Sequence, residues 1–165
     1  MKLADLLLTE LDREMKTTRR LVERTPEDKW DFKPHAKSNS LAWLVNHVVS
    51  LVRFPKFIAE GDGVDLTKFP RPVELRTRRE LLELLDSNIA QAREAIAAVS
   101  DEAMTQTWTL RMGEHVIFSE QRFMVFRTFF MNHHIHHRAQ LAVYFRLNDI
   151  PLPAMYGPTA DEPLS

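Results

Sequence analysis

SEQRFMVFRTFFMNHHIHHRAQLAVYFRL, residues Ser119 to Leu147, runs without glycine or proline and holds four of the chain's seven histidines. Its apolar residues recur at helical spacing. With about 100° per residue and His133 set at zero, Phe126, Phe130, Leu141 and Tyr144 fall within about 80° on one side, and Phe129 and Leu147 close on the other. His137 lies only about 40° from His133 on the same scale. The segment is thus predicted to be one long amphipathic helix with two imidazoles in the middle of its core stripe. Arg127, Arg138 and Arg146 point elsewhere and are expected on a solvated side.

The rest of the chain supplies partners for that stripe. All four glycines (Gly61, Gly63, Gly113, Gly157) fall between helical segments. Lys2 to Glu23 carries Leu7, Leu11, Met15 and Val22 at helical spacing, and Thr25-Pro26 ends it. A second helix begins near Ser38 to Ser40, either of which can cap it, and Pro55 is expected to kink or end it. Thr77 to Val99 shows Leu82, Leu85, Ile89, Ala92, Ile96 and Val99 in a 3-4 rhythm. Between these last two helices, Glu60 to Arg76 is rich in glycine and proline. Ser100-Asp101-Glu102 caps a short turn. Thr105 to Phe118 lacks a helical period and reads as an irregular excursion or a small hairpin, and an extended tail with four prolines follows the last helix. The expected architecture is all-α: an antiparallel four-helix bundle with short extra turns and an irregular excursion before the last helix, forming one domain over residues 1–165.

Composition narrows the function. A net charge of −1 gives no support to nucleic-acid binding. Neither a signal-peptide pattern nor an apolar run of about 18 residues is evident, so no membrane role and a cytoplasmic location are expected. The chain has no cysteine, which excludes disulfides, thiolate metal ligands and a cysteine nucleophile.

The core-facing histidines point to metal. His133 and His137, one turn apart, can direct two nitrogens at one ion. The pairs His133/His136 and His134/His137 are also close on a helix, although His134 and His136 sit at the edges of the apolar arc. A third ligand is available in His47, about which Trp43, Leu44, Leu51, Phe54 and Ile58 lie at offsets of −4, −3, +4, +7 and +11. His35 and His115 fall in a loop and in the irregular segment, where they are expected exposed or locally bonded. The chain has no Glu-x-x-His and no His-Glu-x-x-His, which disfavours a dinuclear carboxylate site and a standard zinc protease. Gln140, about 60° from His137, is placed to orient a ligand imidazole, and Trp43 and Tyr144 to line a pocket beside it.

The run His133-His134-Ile135-His136-His137-Arg138-Ala139-Gln140, with Tyr144-Phe145-Arg146-Leu147 and Ile150-Pro151-Leu152-Pro153-Ala154-Met155-Tyr156-Gly157-Pro158 after it, resembles the C-terminal signature of the DinB family. Upstream, Trp30-Asp31-Phe32-Lys33-Pro34, Ser40-Leu41 and His47 resemble that family's N-terminal signature. The resemblance implies a four-helix bundle, commonly dimeric, holding one divalent metal through three histidines, here His47, His133 and His137. Ala139 departs from the family, which usually has glycine after the arginine; local packing rather than the ligand set is at stake there.

Three neutral imidazoles leave a divalent ion charged, with at least one open position of the kind catalytic sites keep. Zinc or nickel is expected first, with iron and copper compatible with nitrogen donors. The resemblance implies members that activate a low-molecular-weight thiol for transfer or isomerisation, and others with hydrolysis. Here a thiol would have to come from outside. The expectation is therefore a metal-dependent transferase or hydrolase acting on a small molecule, as a homodimer formed through helices one and three. The alternative is a non-catalytic, metal-stabilised stress-response or interaction bundle.

Overall fold

The computed structural model describes residues 2–70 and 72–163. Helix α1 spans Leu3–Val22 and buries Leu7, Leu11, Met15, Thr18 and Val22 along one side. Helix α2, Leu41–Leu51, starts where the Ser40 hydroxyl accepts from the Trp43 N–H, satisfying one of the amides that a helix start leaves free. Pro55 then opens α3, Phe54–Glu60, at a position where its missing N–H costs nothing. After strand β1, Gly63–Asp65, comes α4, Arg78–Ala98, capped by Thr77. Its buried line is Leu81, Leu85, Asn88, Ala92 and Ile96, with the expected Leu82 and Ile89 half-buried beside it.

Short helix α5, Asp101–Thr105, capped by Ser100, leads into a hairpin of β2, Thr107–Met112, and β3, His115–Gln121. The hairpin is antiparallel with a bulge between Leu110 and Arg111, and β1 joins β2 in parallel, giving sheet order β1-β2-β3. Two glycines are required here. Gly113 turns the hairpin at φ +61, and a Cβ on Gly63 would stand 2.3 Å from the Thr109 carbonyl oxygen. The all-α expectation is corrected: the fold is mostly helical with a small three-stranded sheet. The excursion resolves as the hairpin, and it runs through Ser119–Gln121, where a helix was expected. The alternation that marks a half-buried strand is broken in β3 because its residues are nearly all exposed.

The last helix is composite. After α6, Arg122–Val125, the backbone widens into a π-helical stretch, Phe126–Asn132, before α7, His133–Arg146. Helix α7 packs on α2 and also touches α1, while α1 lies mainly on α4. The helical stretch Leu41–Glu60 is long and apolar enough by composition to cross a membrane, but it is broken into α2 and α3 and mostly buried inside the protein, as a core helix is. The proline-rich tail is fastened to the helices: Arg20 donates to the Ala154 carbonyl, and Arg146 pairs with Asp161.

Candidate metal centre

Helix α2 is buried on most of its surface, with Leu41, Leu44, Val45, Val48 and Val49 all in the core. His47 is therefore not the centre of a buried stripe, as its neighbours' spacing suggested. It is half-buried, and Trp43 one turn before it is 40% exposed. The two rings stack at 4.6 Å between centroids, 15° from parallel. This is the rim of the bundle, where α2 meets α7.

Across that rim stand His133 and His137. One ring nitrogen from each of His47, His133 and His137 lies within 4.8 Å of the other two, with His133 Nε2 and His137 Nε2 2.9 Å apart. The outer nitrogen of His137 decides the chemistry of that close approach. Gln140 Oε1 is 2.8 Å from His137 Nδ1; an amide oxygen carries no proton, so Nδ1 donates and Nε2 of a neutral ring is bare. The bare His137 nitrogen can accept from His133 Nε2 in the metal-free protein, and a metal ion beside the pair would displace that shared proton. A second proton on any of these rings is disfavoured: burial, and then the neighbouring histidines, depress His47 to about 4, and burial is the largest cause lowering His133 and His137 as well. Neutral imidazoles are the form that ligates a metal, and Gln140 fixes the outer N–H of His137.

Clefts open on either side of Trp43. One, of about 400 Å³, reaches His137 and Gln140 past Lys37, Ser38, Asn39 and Tyr144. The other, of about 250 Å³, reaches His47 past Asn46, Pro72, Val73 and Glu74. Tyr144 is buried, its hydroxyl donating to the Asn39 carbonyl at 3.1 Å and its ring set edge-on to Phe32. The residues singled out from sequence, Gln140, Tyr144 and Trp43, thus all stand at the cluster.

The remaining histidines separate cleanly. His136 is exposed, and so are His35, whose Nδ1 accepts from the Lys37 N–H, and His115 in β3. His134 is not at the edge of an apolar arc but fully buried, 2.8 Å from Thr18 Oγ1 of α1, with burial depressing it to about 3. Arg138, expected on a solvated side, is 1% exposed. It donates to the Glu14 carboxylate at 2.6 Å, the Glu14 carbonyl, Thr18 Oγ1 and the Tyr156 hydroxyl. Leu147 in turn is exposed rather than core. The reason is that α7 is covered on two sides, by α2 and by α1, so its solvated arc is narrow. Ala139 is exposed, so the methyl that departs from the family pattern tightens no helix contact.

Two features had little or no signal in the sequence. Asn46 makes a reciprocal pair with Leu75, its amide donating to the Leu75 carbonyl and accepting from the Leu75 N–H, both at 2.8 Å, which holds the Pro72–Leu75 loop against the site; a lone asparagine in an apolar helix was the available clue. The π-helical stretch, which precedes His133 directly, had none.

A mostly helical fold with three histidines gathered from two helices defines the class of protein. Within that class, the family model of the DinB superfamily matches residues 10–141, and the chain belongs to that superfamily. Solved structures agree on the fold. A DinB-like protein of Bacillus subtilis superposes with TM-score 0.71 at 20% identity, covering 91% of this chain and 97% of that one. A DinB-like protein of Bacillus cereus gives 0.67 at 18% identity, with 91% and 95% covered. No curated protein matches the sequence.

Proposed function

We propose that the chain is a mononuclear metal-dependent enzyme of the DinB type, with His47, His133 and His137 as ligands and a small molecule as substrate. The observation that carries this is the convergence of one ring nitrogen from each of His47, His133 and His137, all within 4.8 Å of one another, with His137 turned inward by its bond to Gln140. The ligand donors are all nitrogen, which suits zinc or nickel first and iron or copper next. A divalent ion held there would supply Lewis-acid chemistry to a small molecule reaching it from the cleft.

This chain's own residues do the rest. Gln140 fixes the His137 tautomer, and Trp43, stacked on His47, shields one flank of the ligands from water. Tyr144 forms the buried wall of the larger cleft. That open access favours an enzyme over a closed structural site. Since the chain has no cysteine, thiol activation would use a small thiol from outside, and water activation would serve hydrolysis; transfer or hydrolysis is the reaction class. We place the protein in the cytoplasm as a homodimer, one domain over residues 1–165.

Metal analysis of protein purified without a histidine tag tests the assignment. Single His47→Ala, His133→Ala and His137→Ala variants are expected to lose stoichiometric metal, and His136→Ala to keep it. Retained metal in the His47 variant, or loss in the His136 variant, would show that another set of donors binds the ion.

A further inference from the structure

The two clefts beside Trp43 differ in charge, and the difference selects a substrate. The larger, about 400 Å³, is lined by the Lys37 ammonium, the Ser38 hydroxyl, the Asn39 and Gln140 amides and the Tyr144 phenol, with no carboxylate among its described lining residues. The smaller has no lysine or arginine among its described lining residues, and its one carboxylate, Glu74, is paired with Arg76 at 2.8 Å. Lys37 is exposed at the cleft mouth, and its charge is not spent within the protein: among the described residues the only lysine in a salt bridge is Lys29, with Asp28. Helix α2 adds to this field. Its first turn has no acidic residue, so the positive end of its dipole at Ser40–Trp43 is uncompensated. The amides there are occupied, Leu41 by the Phe32 carbonyl, Ala42 by the Trp30 carbonyl and Trp43 by Ser40. The side chains, Lys37 above all, are the donors left for a ligand.

We propose that the larger cleft takes a carboxylate-bearing small molecule, its donor atom toward the histidine cluster and its carboxylate on Lys37. This deepens the metal-enzyme reading and rests on it. The site discriminates by charge: the larger cleft offers an anion the unpaired Lys37, and the smaller offers it no lysine or arginine among its described lining residues.

Calorimetric titration of zinc, and then of a matched pair of thiols into the zinc-loaded protein, tests this. The probes are mercaptohexanoate and mercaptohexanol, alike in length and differing in the terminal charge. The wild type is expected to bind the acid about fivefold more tightly, the upper range for one partly exposed ion pair. Lys37→Ala should remove that preference and leave mercaptohexanol affinity unchanged, and Lys37→Arg should restore it. Equal affinities in the wild type, or a preference that survives Lys37→Ala, would overturn the proposal while the metal reading stands. Failure of the protein to take up zinc or nickel would overturn the metal reading itself.

Discussion

Replacing Arg138 by methionine perturbs the fold at its most charged buried point. The guanidinium is 1% exposed and the Glu14 side chain 6%, and the pair meets at 2.6 Å between α7 and α1. Removing one partner of such a pair costs about 3–5 kcal/mol, since the other charge is left desolvated. Tyr156 alone would remain as donor to Glu14, at 2.7 Å, and a single neutral hydrogen bond returns only about 1 kcal/mol. We therefore expect Arg138→Met to lower the unfolding free energy by roughly 3 kcal/mol, measured by urea denaturation of the metal-free protein. The paired variant Glu14→Leu/Arg138→Met removes both charges and should fall short of the sum of the single losses by about 2 kcal/mol or more. A loss below about 1 kcal/mol in Arg138→Met, the range of exposed pairs, or strict additivity in the cycle, would refute the claim that this pair is a desolvated tie between the two helices.

Acid should destabilise the metal-free protein. His47 and His134 are depressed to about 4 and about 3, so between there and their ordinary value near 6.5 the unfolded chain binds more protons; stability is full above 6.5 and is lost as the pH falls toward 3, and a melting temperature flat across that window would contradict the burial of these rings. His134→Ala should keep stoichiometric metal yet cost about 2–4 kcal/mol, since it empties a fully enclosed site and leaves Thr18 only Arg138 of its two side-chain partners; loss of metal with stability intact would identify the α1-facing histidine as a ligand. Chelation should lower the melting temperature, because ion at 100 times its Kd adds about 2.7 kcal/mol to the folded state, and coincident melts of stripped and loaded protein would count against the site. Light scattering should give a dimer mass, with exposed Leu6 of α1 and half-buried Leu82 and Ile89 of α4 as the paired faces; a monomer over a wide concentration range would exclude it.

The helices were legible because their signals are local. Ser40, Thr77 and Ser100 each cap the helix they precede, and a cap needs only the next three residues. The hairpin of β2 and β3 was legible as a stretch without helical period, but the third strand of the sheet was not, for the opposite reason. Strand β1 pairs Val64 with Leu110, a contact across nearly the length of α4 and α5 that no window of sequence contains. His133 and His137 were found by a spacing of four, which holds inside α7. The wheel misplaced His134 and Arg138 because it assumed one core stripe, whereas α7 is covered on a second side by α1; Phe126 and Phe130, within the π-helical stretch, are buried as the wheel has them. His47 was found for a partly mistaken reason: its neighbours are apolar because α2 is buried nearly all round, and the histidine occupies one of its few open positions.

That correction changes how the site works. A triad in the middle of a buried stripe would be enclosed by the core, as structural metal sites are; at the rim, the same three rings have clefts on both sides of Trp43. The rim is also where helices are least constrained by packing, so the His133/His137 ladder needs its setting fixed from elsewhere. Helix α7 carries a second ladder of the same four-residue spacing, His134 and Arg138, one residue on and turned to α1. There the bonds to Thr18 and Glu14 are buried and specific, and a helix cannot rotate or slide without breaking them. The run from His133 to Arg138 thus holds two devices on one helix: His134 and Arg138, which lock α7 to α1, and His133 and His137, which this lock holds in register with His47, while the exposed His136 belongs to neither.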